Sequence, residues 1–133
     1  MAPLSIHALR LAILHLVVGL SAGALLLANK GPTILPLAGL GSTELLRIHH
    51  HTLLFGWTVQ LVMGVAYWIL PTFGARTERG SERAMLVALI ALNLGVVLAV
   101  AGLRLEGWGL QAIAALSFGV HAWPRVKAFG ESG

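Results

Sequence analysis

The sequence predicts an all-α fold, an integral membrane four-helix bundle with no soluble domain. Three observations carry that prediction. The 133 residues are 57% hydrophobic and 11% charged, with mean hydropathy +0.85, whereas ordinary soluble domains carry about 25% charged residues. The apolar residues gather into four stretches, each near the roughly 20 residues with which a helix crosses a bilayer. Short connections between them hold most of the charges and turn residues.

The expected spans are 5–28, 44–71, 83–104 and 108–126, within a single domain over 1–133. A cleavable signal peptide competes for the first stretch, but its apolar core is too long. That core also contains His15 and ends in Asn29-Lys30 without a small-residue cleavage pattern. Turn residues follow, from Lys30-Gly31-Pro32-Thr33 through Pro36 to Gly39-Leu40-Gly41. Ser42 or Thr43 is placed to N-cap the second helix, with Glu44 in its first turn favoured by the helix dipole. Pro71 and Gly74 end that helix, and a charged loop from Arg76 to Arg83 follows. Only Arg104-Leu105-Glu106-Gly107 separates the third and fourth spans, which predicts a tight antiparallel pair. Pro124 and Arg125 close the fourth.

The chain has no cysteine, which excludes disulfides, thiolate metal sites and covalent haem attachment. Its net charge of +4 is scattered around the ends of the spans and does not point to nucleic acid. Arg10, Arg76, Arg79, Arg83, Arg125 and Lys127 fall on one side of the expected membrane, and Lys30, Arg47 and Arg104 on the other. The positive-inside rule then puts both termini in the cytoplasm and the chain in the cytoplasmic (inner) membrane, surrounded by lipid.

The second span opens with His49-His50-His51. Imidazoles are costly to bury and good at holding metals. Helical phasing at roughly 100° per residue groups Gly56, Gln60 and Tyr67 with His49, on a small and polar face suited to contact with another helix. The same phasing groups Thr58 and Val62 with His51, and bulky Trp57, Leu61 and Trp68 with His50. His49 and His51 thus point to nearly opposite sides, so one helix offers a ligand to each of two neighbouring sites. The plain alternative is three solvated residues at a membrane boundary.

His15 lies inside span one, ahead of Gly19 and Gly23 on nearly the same face, so it points toward another helix. It is a candidate ligand by the rule that ionisable groups inside spans are functional, and otherwise a packing histidine. His121 lies one turn before Pro124, as a ligand or as a donor to a backbone carbonyl. His7 reads as solvated. Arg47 and Arg104 are placed to pair with haem propionates or to snorkel to the interface.

The stretch from Leu11 to Pro71 resembles the first two helices of the catalytic subunit of haem-copper oxidases, in the cytochrome c oxidase and nitric oxide reductase branches. The matching residues are Gly19 and Gly23, then Arg47-Ile48-His49-His50-His51, Phe55-Gly56-Trp57, Gly64, and Tyr67-Trp68 before Pro71. In that family a histidine at this end of the second helix ligates the low-spin haem. Anchoring on the aromatic pair selects His49 or His50. The family's subunit has roughly a dozen spans in three arcs of four, so this chain resembles one arc. The resemblance then implies a homotrimer in which His49 of one protomer and His51 of the next grip a haem at each interface. The copper-site histidines and cross-linked tyrosine of the family have no clear counterpart, so reduction of oxygen or nitric oxide is not implied.

The expected protein is a membrane-embedded carrier of non-covalent b-type haem, held by His49, His50 and His51 with Arg47 and Arg104 nearby. Its expected role is electron transfer with a redox partner protein, or binding of small gases. Two other readings stand beside it. One is a haem-free copper or metal site using the same imidazoles with Met63 or Met85. The other is a small structural subunit of a larger respiratory complex.

Overall fold

The computed structural model describes residues 2–30, 40–72 and 81–126. Four helices account for nearly all of them: α1 (Pro3–Ala28), α2 (Ser42–Ile69), α3 (Glu82–Val100) and α4 (Arg104–Ala122), with a final 3₁₀ turn at Trp123–Arg125. Among the described residues there is no strand. The expected turn residues 31–39, Gly74, the expected charged loop at 76–80 and Lys127 lie outside the described residues.

Local chemistry fixes the helix ends. Pro3 occupies the first turn of α1, where its missing N–H costs nothing. The N-cap of α2 is Gly41, not Ser42 or Thr43, which are already helical and make no capping bond. The Glu44 carboxylate in the first turn folds back toward this cap, its Oε2 standing 2.8 Å from where a Cβ on Gly41 would be. α2 stops at Ile69 because Leu70, next to Pro71, is pushed to extended backbone with ψ 141. Ser81 caps α3, its Oγ accepting from the Ala84 N–H at 3.2 Å. The turn between α3 and α4 is Ala101-Gly102-Leu103, with Gly102 at φ 97, a conformation glycine adopts freely. Arg104 to Gly107 therefore form the first turn of α4 and not the expected connection.

The middle of α2 departs from α-helical winding. Thr52 to Val59 form a π-helix, bonded five residues apart. The Thr58 hydroxyl donates to the Leu53 carbonyl at 3.0 Å, five residues back, and Thr52 donates to Ile48 O at 2.6 Å. A π-turn advances less than 100° per residue, so the expected phasing fails downstream of the histidines. His51 shares its inward direction with Phe55, Val59, Met63 and Tyr67; Thr58 and Val62 are exposed. Tyr67 thereby leaves the His49 face and turns toward α3 and α4, while Gly56, Gln60 and Gly64 stay with His49 against α1.

The helices alternate in direction. α1 lies antiparallel to α2, with Gly23 beside His49 at one end and Ala8 beside Gly64 at the other. α3 and α4 pair closely, because a Cβ on Gly107 would meet Ala99 N and Gly95 O, both at 2.8 Å. The interior is small and partly polar: Ala8, Ala12, Ala22, Ala88, Ala91, Ala99 and Ala114 are buried together with Ser5, Gln60, Gln111, His121 and Arg125. Large apolar side chains such as Ile13, Leu14, Val17, Leu116 and Val120 are exposed. Their placement reverses the usual order of a soluble domain. α1, α2 and α3 are long and apolar enough to cross a membrane. α4 falls short of that hydropathy, since it carries Arg104, Glu106, Gln111 and His121.

The α3–α4 contact makes a direct prediction. Gly107→Val is expected to lower stability by about 1–3 kcal/mol, the usual cost of overpacking. Gly109→Ala, which meets nothing within 4 Å, is expected to raise it by about 0.5–1 kcal/mol. Thermal unfolding of the detergent-solubilised chain measures both.

Candidate functional site

The three histidines close the α-helical first part of α2, just before the π-turns. His49 reaches sideways to α1, its Nδ1 2.8 Å from the carbonyl oxygen of Gly19. A carbonyl only accepts, so Nδ1 is the donor, and in the neutral ring Nε2 keeps its lone pair. The approach depends on glycine: a Cβ on Gly23 would lie 2.6 Å from His49 Nδ1, and one on Gly19 would lie 2.6 Å from Leu53 and from Thr52 Oγ1. One ring thus sits in a notch of the facing helix. A second such pair lies one step deeper, where the His15 ring fills the space beside Gly56 of α2. His15 does point at another helix, as its position ahead of Gly19 and Gly23 suggested.

His51 turns the other way. It is 7% exposed, stacks on Phe55 with ring centroids 5.9 Å apart, and lies 5.5 Å from the His50 ring. Its Nδ1 is buried without a hydrogen-bond partner among the described residues. His50 is exposed. The expected divergence of His49 and His51 holds for what each ring packs against, but all three imidazoles border one open groove. That groove holds about 400 Å³ and is lined by Thr43, Leu46, Arg47, His49, His50, His51, Arg104 and Trp108. His49 and His50 also border a smaller hollow of about 220 Å³ with Leu53, Leu54 and Thr58. Among the described residues no three His, Cys, Asp or Glu side chains converge as a metal-binding group.

The two arginines play different parts. Arg47 Nε donates to the Val100 carbonyl at 3.0 Å, tying α2 to the C-terminal end of α3. Arg104 is exposed at the start of α4 and lines the groove together with Arg47. α4 adds Trp108 to the lining of the groove, a residue that no motif or spacing singles out. The tight α3–α4 turn brings it to the level of the histidines.

The other candidates lie elsewhere. Met63 and Met85 are 3% and 0% exposed in the apolar core around Tyr67, and neither lines the groove. His121 is 1% exposed at the opposite end of the molecule. Its Nδ1 donates to Ser81 O at 3.1 Å, and Arg125 Nη1 donates to its Nε2, so neither nitrogen is left for a metal. The carbonyl it meets is that of Ser81, not one freed by Pro124. Arg125 itself is 0% exposed. It donates to the carbonyls of Tyr67, Leu70 and Pro71, the frayed end of α2, and stands 5.7 Å over the Tyr67 ring. Tyr67 donates to Glu82 Oε1 at 3.2 Å. This closure of α2 onto α3 and α4 was missed from sequence, where Arg125 counted only as a terminal charge. The four-residue spacing from His121 was the available signal.

Arg125→Lys cannot reproduce a fork that serves three carbonyls and a ring nitrogen. It is expected to lower stability by about 3 kcal/mol, because buried acceptors that lose a donor cost roughly 1–3 kcal/mol each. Arg83→Lys, at an exposed position of α3, is expected to change it by less than about 0.5 kcal/mol. Denaturant titration in detergent compares the two.

No protein-family model matches this chain, and no match was found among curated proteins or among solved structures.

Proposed function

We propose that the chain is a b-type haem protein of the cytoplasmic membrane, serving electron transfer or the binding of small gases. The observation that carries this reading is the groove that gathers His49, His50, His51, Arg47 and Arg104. Its donor set suits the group. His49 offers Nε2 from a ring oriented by a backbone carbonyl, the usual support of a ligating imidazole. His51 has a buried ring nitrogen without a partner, the kind of atom that a ligand or a water has to account for. Arg104 is free to meet a carboxylate, while Arg47 brings charge from a side chain braced on α3. Haem, when bound, supplies one-electron chemistry, or gas binding where an axial position is open.

All four helices cross the membrane in this reading. α4 packs along α3 through Gly95 and Gly107, so if α3 spans, α4 runs beside it. The polar residues that lower its hydropathy include Gln111 and His121, which are buried. Of the residues that the positive-inside rule would assign to the cytoplasm, Arg10 and Arg83 are exposed and Arg125 is turned inward. A groove open on one side fits a shared site, and a homotrimer resembling the three arcs of a haem-copper oxidase subunit is the assembly we favour. A separate redox protein would deliver or remove the electron.

Absorption spectroscopy and mass measurement on the full chain in detergent test this. A Soret band, sharp reduced α-bands and a trimer mass are expected. His49→Ala and His51→Ala are each expected to weaken haem binding by more than ~10-fold, since even outer-shell partners of a metal are worth that much. Arg104→Ala is expected to weaken it about 10-fold, the value of a charged hydrogen bond. A colourless protein with bound copper would establish the metal reading instead, and a colourless, metal-free one the structural-subunit reading.

A further inference from the structure

We infer that Gly19 and Gly23 of α1 are positioning residues for the metal site, holding the proton on His49 Nδ1 so that Nε2 is the ligating nitrogen. The identity of the metal group rests on the haem reading above; the choice of nitrogen does not. Two independent features support the choice. The Gly19 carbonyl is 2.8 Å from His49 Nδ1 and can only accept. The ring can come this close to α1 only because Gly23 has no side chain: a Cβ there would stand 2.6 and 2.7 Å from its Nδ1 and Cε1.

A contrast within the molecule sharpens the point. His121 also donates from Nδ1 to a backbone carbonyl, but its Nε2 accepts from Arg125. His49 Nε2 has no such partner among the described residues, and His49 borders the groove. A histidine whose proton is fixed on one nitrogen by a carbonyl presents the other as a more basic ligand. The Gly-x-x-x-Gly of α1 is therefore more than a helix-packing surface. It selects which nitrogen faces the site, and it strengthens that nitrogen as a donor to iron.

The test reads the ring directly. In the full chain without added haem, ¹⁵N-histidine NMR in detergent is expected to give a single Nδ1–H tautomer for His49, its signal identified by loss in His49→Gln. In Gly23→Ala the tautomer is expected to shift toward Nε2–H, with Gly109→Ala unchanged. With haem bound, Gly23→Ala is expected to raise the midpoint potential and to weaken binding by about 10-fold or more, with helix content retained. A wild-type His49 protonated on Nε2 would overturn the inference, as would a Gly23→Ala protein with the wild-type tautomer and potential. If Gly23→Ala does not fold, the wild-type tautomer still decides. A locked Nδ1–H tautomer in a chain that takes up no haem would leave the inference standing and remove the haem reading.

Discussion

α2 has to serve two neighbours at once, and its π-wound centre is what allows this. In an α-helix, side chains four residues apart drift by about 40° per step, so a row of them soon leaves its partner. Between Thr52 and Val59 the wider turns cancel that drift. The row His51, Phe55, Val59, Met63 and Tyr67 stays on the side of α3 and α4, while His49, Gly56, Gln60 and Gly64 stay against α1. Thr58 holds the register with a bond to the carbonyl five residues back, a partner that exists only in this winding. The arrangement of the histidines follows from it: the last α-helical turn before the π-segment sends His49 to one neighbour and leaves His51 to the other.

The same economy governs the polar groups of the interior. If the bundle lies in a bilayer as proposed, little water is at hand and a partner from the protein is worth most there, though Ser5 Oγ, Gln60 Oε1 and Gln111 Nε2 have none among the described residues. Gln60 donates to the Ala8 carbonyl of α1, Asn93 to Leu89 within α3, and Arg125 to the loose carbonyls at the end of α2. Alanine and glycine make these bonds possible by letting the helices approach closely. Many large apolar residues of the kind that fill a soluble core, such as Ile13, Leu14 and Leu116, are left for the outside.

Much of this was legible in the sequence. Hydropathy gave the helices, the short polar connections gave the alternation, and the glycines flagged the close contact of α1 with α2. The π-segment was not legible, because Thr52-Leu53-Leu54-Phe55-Gly56-Trp57-Thr58-Val59 contains no proline and nothing local that forbids α-winding. Phasing at a fixed angle therefore misplaced Tyr67, Thr58 and Val62, all beyond the change of winding. The start of α4 was misread for a related reason. Arg104 and Glu106 look like loop residues, yet the turn is made by Gly102 with its positive φ, and the charges fall in the first helical turn. Burial of Arg125 was hidden because the positive-inside rule treats every terminal arginine as a surface charge.

The two ends of the molecule show how the same side chain is put to different use by its second nitrogen. His121 is held by Ser81 on one side and by Arg125 on the other, inside a closure that joins α2, α3 and α4. Filling both nitrogens makes it part of the scaffold. At the far end the glycines of α1 hold only one nitrogen of His49, and Arg47 is drawn off to the Val100 carbonyl. What remains at that end is a groove with imidazole and guanidinium groups in reserve. The His121 end is closed by polar groups that satisfy one another, whereas the histidines at the other end border an open groove, and that end is where a bound group would have most to gain.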